Sequence, residues 1–109
     1  MNEFKIKQND TRPSLEAQLF DSVGEPQSLS TVTSVRFHMK NVSTQEVIVD
    51  SEAAILNESE GKVVYEWDEG DTELDGRHVA EFELTYENSG TETFPNTGNI
   101  DVYISDEIA

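Results

Sequence analysis

Apolar and polar residues alternate with a period of two along most of the chain. In residues 34–40, the apolar side chains Val35, Phe37 and Met39 share one side of the segment and polar or charged residues share the other. Strict alternation is typical of strands that bury one face. Residues 15–19, 63–67, 80–87 and 100–105 show the same pattern, and shorter candidates are residues 4–7, 46–50, 53–57 and 92–94.

Segments that favour turns separate these runs. They are residues 23–26, 58–61, 75–76 and 88–90, which are rich in Gly, Pro, Asn, Asp or Ser. Helical periodicity does not extend beyond about one turn, for which residues 71–74 are the candidate. The pattern predicts an all-β fold, an immunoglobulin-like antiparallel β-sandwich of seven to nine strands. We expect a single domain over residues 1–109, with residues 1–13 as an N-terminal arm or a first edge strand.

The apolar faces of the predicted strands define the expected core. Their phase places Phe37, Trp67, Phe82 and Leu84 at its centre, between the two sheets. A shift of one residue would turn each of these side chains outward, so the assignment depends on the phase of each strand.

The composition fits one folded domain with few kinds of chemistry available. A chain of 109 residues with nine aromatic side chains can form a single core. Because the sequence lacks cysteine, disulfides, thiolate nucleophiles and Cys-based metal sites are excluded. Residues 1–7 have no apolar signal region, and no apolar run approaches the roughly 18 residues of a membrane span. We therefore expect synthesis and folding in the cytoplasm.

The chain is strongly acidic, with 23 Asp and Glu against 7 Lys and Arg, a formal charge of −16. Such a charge disfavours binding to nucleic acid or to anionic membrane surfaces. It also destabilises the compact state unless molar salt shortens the screening length to about 3 Å. The composition favours a protein of a salt-loving organism over an acidic mesophilic protein.

The charge is distributed unevenly along the sequence. Residues 1–40 contain five basic and five acidic residues, whereas residues 41–109 carry the whole net charge. The neutral part is a candidate docking surface, because acidic copies would repel each other least there. If strands from both parts alternate in the sheets, the asymmetry will instead disappear from the surface.

Carboxylates are densest in residues 66–76. Asp71, Glu73 and Asp75, followed by Gly76, match positions 1, 3, 5 and 6 of an EF-hand calcium loop. Phe82 occupies position 12, where a bidentate carboxylate is needed, and the following segment alternates as a strand. We therefore interpret the segment as a solvated acidic loop, with Asp71, Glu73 and Asp75 as a secondary candidate for a metal site. We expect no cofactor.

The sequence contains no recognisable catalytic set. His38 and His78 are the only histidines, and neither has a neighbouring nucleophile in the sequence. His78 is in phase with the apolar face of its segment, which predicts a hydrogen-bonded core residue. Phosphate-binding loops, nucleophile elbows and HExxH motifs are absent from the sequence. The protein is therefore expected not to be an enzyme.

Arg36, His38 and Lys40 form a basic stripe on the polar face of their predicted strand. Such a stripe could bind an acidic partner. Cross-strand pairing within the sheet, with Glu81 and Glu83 of the long later strand, is the favoured alternative.

The segment Lys7-Gln8-Asn9-Asp10-Thr11-Arg12-Pro13 leads into the first predicted core strand. It is similar to the Lys-x-Asn-Asp-Thr-x-Pro segment that opens the N-terminal domain of phage baseplate upper proteins. The resemblance covers residues 4 to about 104. It continues, in order and spacing, through residues 35–40, 61–67, 76–82 and 93–96.

The resemblance implies an immunoglobulin-like structural module in the virion of a tailed virus, in the tail, in the baseplate or decorating the capsid. Its partners would be other virion proteins, and many copies would dock into a symmetric assembly. Family members continue into receptor-binding parts; this chain stops after one domain, so a receptor-binding role is not carried over from the resemblance. With the acidity, the implied source is a virus of a halophilic archaeon. The residues expected to dock are Gln8, Asn9, Asp10, Thr11, Arg12 and Pro13.

The alternative function is that of a small ligand-binding β-sandwich of a halophile, for example one that binds carbohydrate. A carbohydrate site would need aromatic side chains exposed on a flat face or a loop. Trp67 is in phase with Val63 and Tyr65, which predicts that it is buried, and Tyr103 is the aromatic residue clearly out of phase with its strand. This pattern favours the structural module.

Overall fold

The computed structural model describes residues 3–108, which form nine strands and no helix. Each strand overlaps a segment predicted as a strand, and the predicted all-β sandwich is confirmed, although the longest strand begins at Gly76, within a predicted turn. None of the described residues belongs to a helix of the length and apolarity needed to span a membrane. The strands are β1 (Glu3–Lys7), β2 (Leu15–Gln18), β3 (Val32–Asn41), β4 (Val47–Glu52), β5 (Ala54–Asn57), β6 (Lys62–Tyr65), β7 (Gly76–Tyr86), β8 (Thr91–Phe94) and β9 (Ile100–Ser105).

The strands form two sheets that pack face to face. The larger sheet has the order β1-β9-β7-β3-β4, and the smaller sheet has the order β2-β6-β5. The 11-residue strand β7 joins β9 along its first half and β8 along its second half. Alternate side chains of both sheets point into one shared core, which is the arrangement of a β-sandwich.

One strand pair departs from the predicted antiparallel arrangement. β1 lies at the edge of the larger sheet and runs parallel to β9, with Phe4 opposite Val102 and Ile6 opposite Ile104. The larger sheet is therefore mixed. Alternation shows which side chains point inward, but it does not encode the direction of a strand. Two strands that each bury one face have the same sequence pattern whether they pair in parallel or antiparallel.

Phe37 of β3 lies at the centre of the core and links the two sheets. Its ring stacks on that of Tyr65 in β6, with ring centroids 4.5 Å apart. Its centroid also lies 5.1 Å from that of Phe82 and 5.7 Å from that of Trp67, whose ring is nearly perpendicular to it. Phe37, Trp67, Phe82 and Leu84 are all buried, which confirms the predicted core centre.

The core also contains His78, as the phase of β7 predicts. Its side chain is fully buried, with Nδ1 3.2 Å from the carbonyl oxygen of Gly76 and Nε2 3.3 Å from Nδ2 of Asn41. Burial lowers the pKa of His78, which favours the neutral ring. A neutral ring protonated on Nδ1 donates to Gly76 and accepts from Asn41, so both ring nitrogens are satisfied.

Candidate docking site

The predicted docking segment, residues 8–13, connects β1 to β2, and its backbone is fixed by neighbouring elements. The amide of Gln8 donates to the carbonyl of Ser105 at 2.7 Å, and the amide of Asn9 donates to the carbonyl of Thr72 at 3.1 Å. The hydroxyl of the buried Thr72 donates in return to the carbonyl of Asp10 at 2.8 Å. The first half of the segment is therefore held between the end of β9 and the acidic loop.

Two of the six predicted docking side chains are used inside the molecule. Nε2 of Gln8 donates to the carbonyl of Glu73 at 2.7 Å, and Nδ2 of Asn9 donates to Oε1 of Glu107 at 2.9 Å. Asn9 also has a backbone φ of 68°, a left-handed conformation that Asn tolerates better than most residues. Gln8 and Asn9 thus shape the segment, a role that the sequence pattern did not reveal.

The other four side chains, Asp10, Thr11, Arg12 and Pro13, are exposed. Within residues 3–108, the side chains of Asp10, Thr11 and Arg12 make no hydrogen bond or ion pair. The carbonyl of Pro13 accepts a hydrogen bond of 3.1 Å from the indole nitrogen of the buried Trp67. Residues 10–13, which we call the docking loop, therefore combine a backbone anchored at both ends with accessible side chains.

The acidic loop that precedes β7 is organised by Asp71. Its Oδ2 accepts hydrogen bonds from the hydroxyl of Tyr65 and, at 2.8 Å, from the amide of Asp68. Burial, together with Asp71, raises the pKa of Tyr65, so this hydroxyl remains a donor. Asp71, Glu73 and Asp75 are not brought together as ligands, since the described part of the chain contains no group of three or more His, Asp or Glu placed to hold a metal ion.

Arg36 and His38 of the basic stripe face carboxylates of the same sheet, whereas Nζ of Lys40 donates to Oε1 of Gln45 at 3.0 Å. Nη2 of Arg36 lies 3.1 Å from Oδ1 of Asp50 in β4. Nε2 of His38 lies 3.3 Å from the same oxygen, and Nδ1 of His38 lies 3.5 Å from Oε1 of Glu81. Pairing with Glu81 is therefore confirmed, whereas pairing with Glu83 is wrong. Glu83 stands opposite Arg36 in the register, but the guanidinium turns to β4.

Folding redistributes the charge of the chain between faces. Strands from the neutral part, β1 and β3, lie beside β9, β7 and β4 from the acidic part, so the asymmetry along the sequence does not survive as such. In the folded protein, the charge differs instead between the outer face of the larger sheet and the rest of the molecule. We call this outer face the mixed-charge face. By register and burial, its charged residues are Lys5, Lys7, Arg36, Lys40 and Arg77, and Glu3, Asp50, Glu52, Glu81, Glu83 and Asp101.

The mixed-charge face is nearly neutral, and the rest of the molecule is not. Its five basic and six acidic residues give a formal charge of −1. The remaining 17 carboxylates are accompanied by Arg12 and Lys62 alone, which leaves −15 of the total of −16. This distribution depends on which strands are neighbours, and the sequence order conceals it.

Comparisons with known proteins identify the fold but not a family. No family model matches the chain, and no curated protein matches it. Among solved structures, the crystal structure of CopC from Methylosinus trichosporium OB3b is similar, with a TM-score of 0.56 over 100% of this chain and 89% of that chain. At 9% sequence identity, this likeness supports the β-sandwich fold alone.

Proposed function

We propose that the protein is a non-enzymatic structural module of a tailed-virus virion that docks into a repetitive assembly through its docking loop. The observation that carries the proposal is the loop itself, whose backbone is anchored by Thr72 and Trp67 while the side chains of residues 10–13 stay accessible. The resemblance of residues 4–104 to the N-terminal domain of phage baseplate upper proteins supplies the class of assembly. Its place there is the tail, the baseplate or the capsid surface.

An anchored loop suits a docking role for an energetic reason. Ordering a flexible segment on binding costs about 0.5–1.5 kcal/mol for each immobilised side chain, in addition to the backbone cost. In this protein, internal hydrogen bonds already order the backbone of residues 8–13 before any partner binds. A small contact can then suffice, because repetition in a symmetric assembly raises the effective concentration of every further contact.

The strong acidity supports other proteins, and not polyanions, as partners of the module, and it supports a halophilic source. With −15 outside the mixed-charge face, polyanions such as nucleic acid and anionic membrane surfaces are poor partners, and other virion proteins are the proposed ones. A virus of a halophilic archaeon is the proposed source, because molar salt removes the repulsion that this charge creates. The module would be made in the host cytoplasm and would act in the virion.

Carbohydrate binding is less well supported by the positions of the aromatic residues. Trp67 and Tyr65 are buried in the core, and Tyr103 is half-buried on the mixed-charge face. Phe20 is 46% exposed, but a single exposed ring is not the flat aromatic platform that sugar stacking requires. Docking therefore remains the proposed function.

Incorporation of variants into virions tests the proposal. The variant Asp10→Ala/Arg12→Ala removes two accessible side chains without changing the net charge. The matched control, Glu25→Ala/Lys62→Ala, also removes one acid and one base, but far from the loop in the sequence. Both should retain the fold by circular dichroism, and the amount in purified virions should fall at least about fivefold for the loop variant alone.

Two results would contradict the proposed function. Incorporation of the loop variant at the wild-type ratio to the major capsid protein would exclude the docking loop. Absence of the wild-type protein from purified virions would exclude the structural module altogether.

A further inference from the structure

The free side of β2 carries unpaired backbone groups. β2 is an edge strand of the smaller sheet, with β6 on one side and no described strand on the other. Leu19 continues the ladder with β6, since its amide donates to the carbonyl of Gly61 at 2.7 Å. In an antiparallel ladder, alternate residues direct both backbone groups to the partner strand. Leu19 and every second residue before it therefore face β6, and the amides and carbonyls of Glu16 and Gln18 point to the free side.

This free side continues to Phe20. Phe20 forms an isolated bridge with Pro26, and the flanking hydrogen bonds of 2.8 Å use the carbonyl of Leu19 and the amide of Asp21. The backbone groups of Phe20 therefore also point to the free side. From Glu16 to Phe20 the edge spans about 14 Å, which is enough for an added strand of about five residues.

An apolar groove, which we call the β2 groove, runs along this free side. Two adjoining depressions of about 290 Å³ and about 260 Å³ form it, and Ala17, Gln18, Phe20 and Ile100 line both. The other apolar residues of the lining are Phe4, Leu15, Leu19, Phe94 and Pro95. The smaller sheet has three strands and the larger one has six, so a further strand beside β2 would cover apolar side chains of the larger sheet.

A strand added to β2 would fill the groove with alternate side chains. The side chains on its inward face would be about 7 Å apart, so two of them can occupy the two depressions. Its backbone would form hydrogen bonds with the free groups of Glu16, Gln18 and Phe20. In this mode of recognition, main-chain hydrogen bonds supply affinity, and pockets for alternate side chains supply specificity. The β2 groove therefore fits an extended segment that is apolar at every second position.

The charged residues of the groove lining, Glu3 and Glu16, are both acidic. Neither forms an ion pair with any described residue. Lys5 stands beside Glu3 on the same face of β1, so Glu3 contributes less to the local charge. The basic residue closest to Glu16 in the register is Lys62, and its Nζ lies 3.4 Å from Oε1 of Glu60. Opposite charges on neighbouring strands stabilise a sheet, so the outward positions of an added strand favour Lys or Arg, above all opposite Glu16.

We propose that the β2 groove binds an extended segment of another protein in which apolar residues alternate with Lys or Arg, and that this segment becomes a fourth strand of the smaller sheet. A second copy of this chain fits less well, because the surface outside the mixed-charge face carries −15 and two copies would place like charges together there. A basic segment meets opposite charge instead. The inference goes beyond the docking loop. Its test uses the isolated protein with residues 8–13 unchanged, so failure of one proposal is distinguishable from failure of the other.

Amide hydrogen exchange with a synthetic peptide tests the inference. The probe is acetyl-Lys-Val-Lys-Val-Lys-Val-Lys-amide (the Lys-Val peptide), and two control peptides replace every Lys by Glu or every Val by Ser. In about 1 M salt, with up to about 10 mM peptide, the amides of Glu16 and Gln18 should exchange about tenfold more slowly once the peptide reaches about ten times its dissociation constant. The amide of Glu52, which points to the free side of β4, is the internal control and should keep its rate. The control peptides should slow none of these amides.

Proline at position 16 tests the site itself. Glu16→Pro removes no hydrogen bond of the ladder, because the amide at this position points to the free side, but the proline ring blocks an added strand there. Its control, Glu52→Pro, makes the same exchange on the free side of β4, and both variants have a net charge of −15. By chemical-shift titration, the dissociation constant of the Lys-Val peptide should rise at least about tenfold for Glu16→Pro and less than about twofold for the control.

Glu16→Lys tests the charge preference while the backbone of the edge stays intact. Its control, Glu52→Lys, has the same net charge of −14. Glu16→Lys should bind the Lys-Val peptide at least about threefold more weakly than this control does. Circular dichroism of every variant ensures that folded proteins are compared.

Four results would overturn the inference. The first is unchanged exchange at Glu16 and Gln18 with about 10 mM of the Lys-Val peptide. The second is equal slowing by either control peptide. The third is wild-type affinity of Glu16→Pro or of Glu16→Lys for the Lys-Val peptide. The fourth is slowing without peptide as the wild-type concentration rises from about 0.05 mM to about 1 mM, which would assign the edge to a second copy.

Discussion

Replacement of Phe37 by Ala removes a fully buried side chain that contacts three other aromatic rings of the core. The rings of Tyr65, Trp67 and Phe82 all lie within 5.7 Å of the ring of Phe37, centroid to centroid. Tyr65 belongs to the smaller sheet, and Phe82 belongs to the larger one. The substitution therefore opens a cavity between the two layers of the sandwich.

The expected cost follows from this environment. Phe→Ala substitutions at buried sites cost about 3–5 kcal/mol, through the lost transfer free energy and the cavity that remains. Phe37 is fully buried, and each aromatic pair adds about 0.5–1.5 kcal/mol, so the upper part of that range, about 4–5 kcal/mol, is expected. Small domains have a free energy of unfolding of about 5–15 kcal/mol, so a large fraction of the stability is lost.

Urea denaturation at constant high salt measures the loss. Urea is preferable to guanidinium because guanidinium would also screen the carboxylates. Phe37→Leu keeps most of the volume and should cost about 1–2 kcal/mol, and the exposed control Phe20→Ala should cost less than about 0.5 kcal/mol. A loss below about 1 kcal/mol for Phe37→Ala would show that the ring does not join the two sheets.

Three further predictions concern salt, the docking loop and pH. The melting temperature should rise between about 0.05 and about 3 M salt, because screening weakens repulsion among carboxylates; an unchanged value would contradict the halophilic origin. Trp67→Phe keeps an aromatic ring in the core but leaves the Pro13 carbonyl without its donor, so stability should fall by about 1 kcal/mol, and amide exchange in residues 8–13 should accelerate. Exchange at the wild-type rate would show that the indole does not anchor the loop. Because burial lowers the pKa of His78 in the folded state, the stability from its neutral ring is present above about pH 6.5 and is lost as the pH falls through the lower folded-state pKa. The difference in unfolding free energy between the wild type and His78→Gln should therefore be smaller at pH 5 than at pH 8, two values that lie about one unit or more on either side of 6.5. An equal difference at the two pH values would show that His78 does not titrate in this way.

The alternation of side chains predicted the core centre and most of the strands, because a strand that buries one face has an apolar residue at every second position. Phe37 of β3 and Phe82 of β7 are buried for this reason, and His78 is buried because it shares the phase of Phe82 on β7. β5 buries no residue, and its segment was only a shorter candidate. The sequence pattern did not predict that β1 runs parallel to its neighbour. Its parallel pairing with β9 joins opposite ends of the chain, and only the folded structure defines that contact.

The candidate site was less predictable because it depends on individual side-chain partners. The sequence placed Gln8 and Asn9 with the docking residues, but their amides bind Glu73 and Glu107, far away in the sequence. Asp71 was considered as a metal ligand, whereas it accepts hydrogen bonds from Tyr65 and from its own turn. The mixed-charge face was hidden for the same reason, since it combines five strands whose order in the sheet differs from their order in the chain.

A density map of intact virus particles tests the proposed function most directly. The proposal predicts many symmetry-related copies of the β-sandwich in the tail, in the baseplate or on the capsid. In each copy, the exposed side chains of Asp10, Thr11, Arg12 and Pro13 should contact a neighbouring virion protein. A map that accounts for every virion protein and contains no copy of this sandwich would contradict the proposed function.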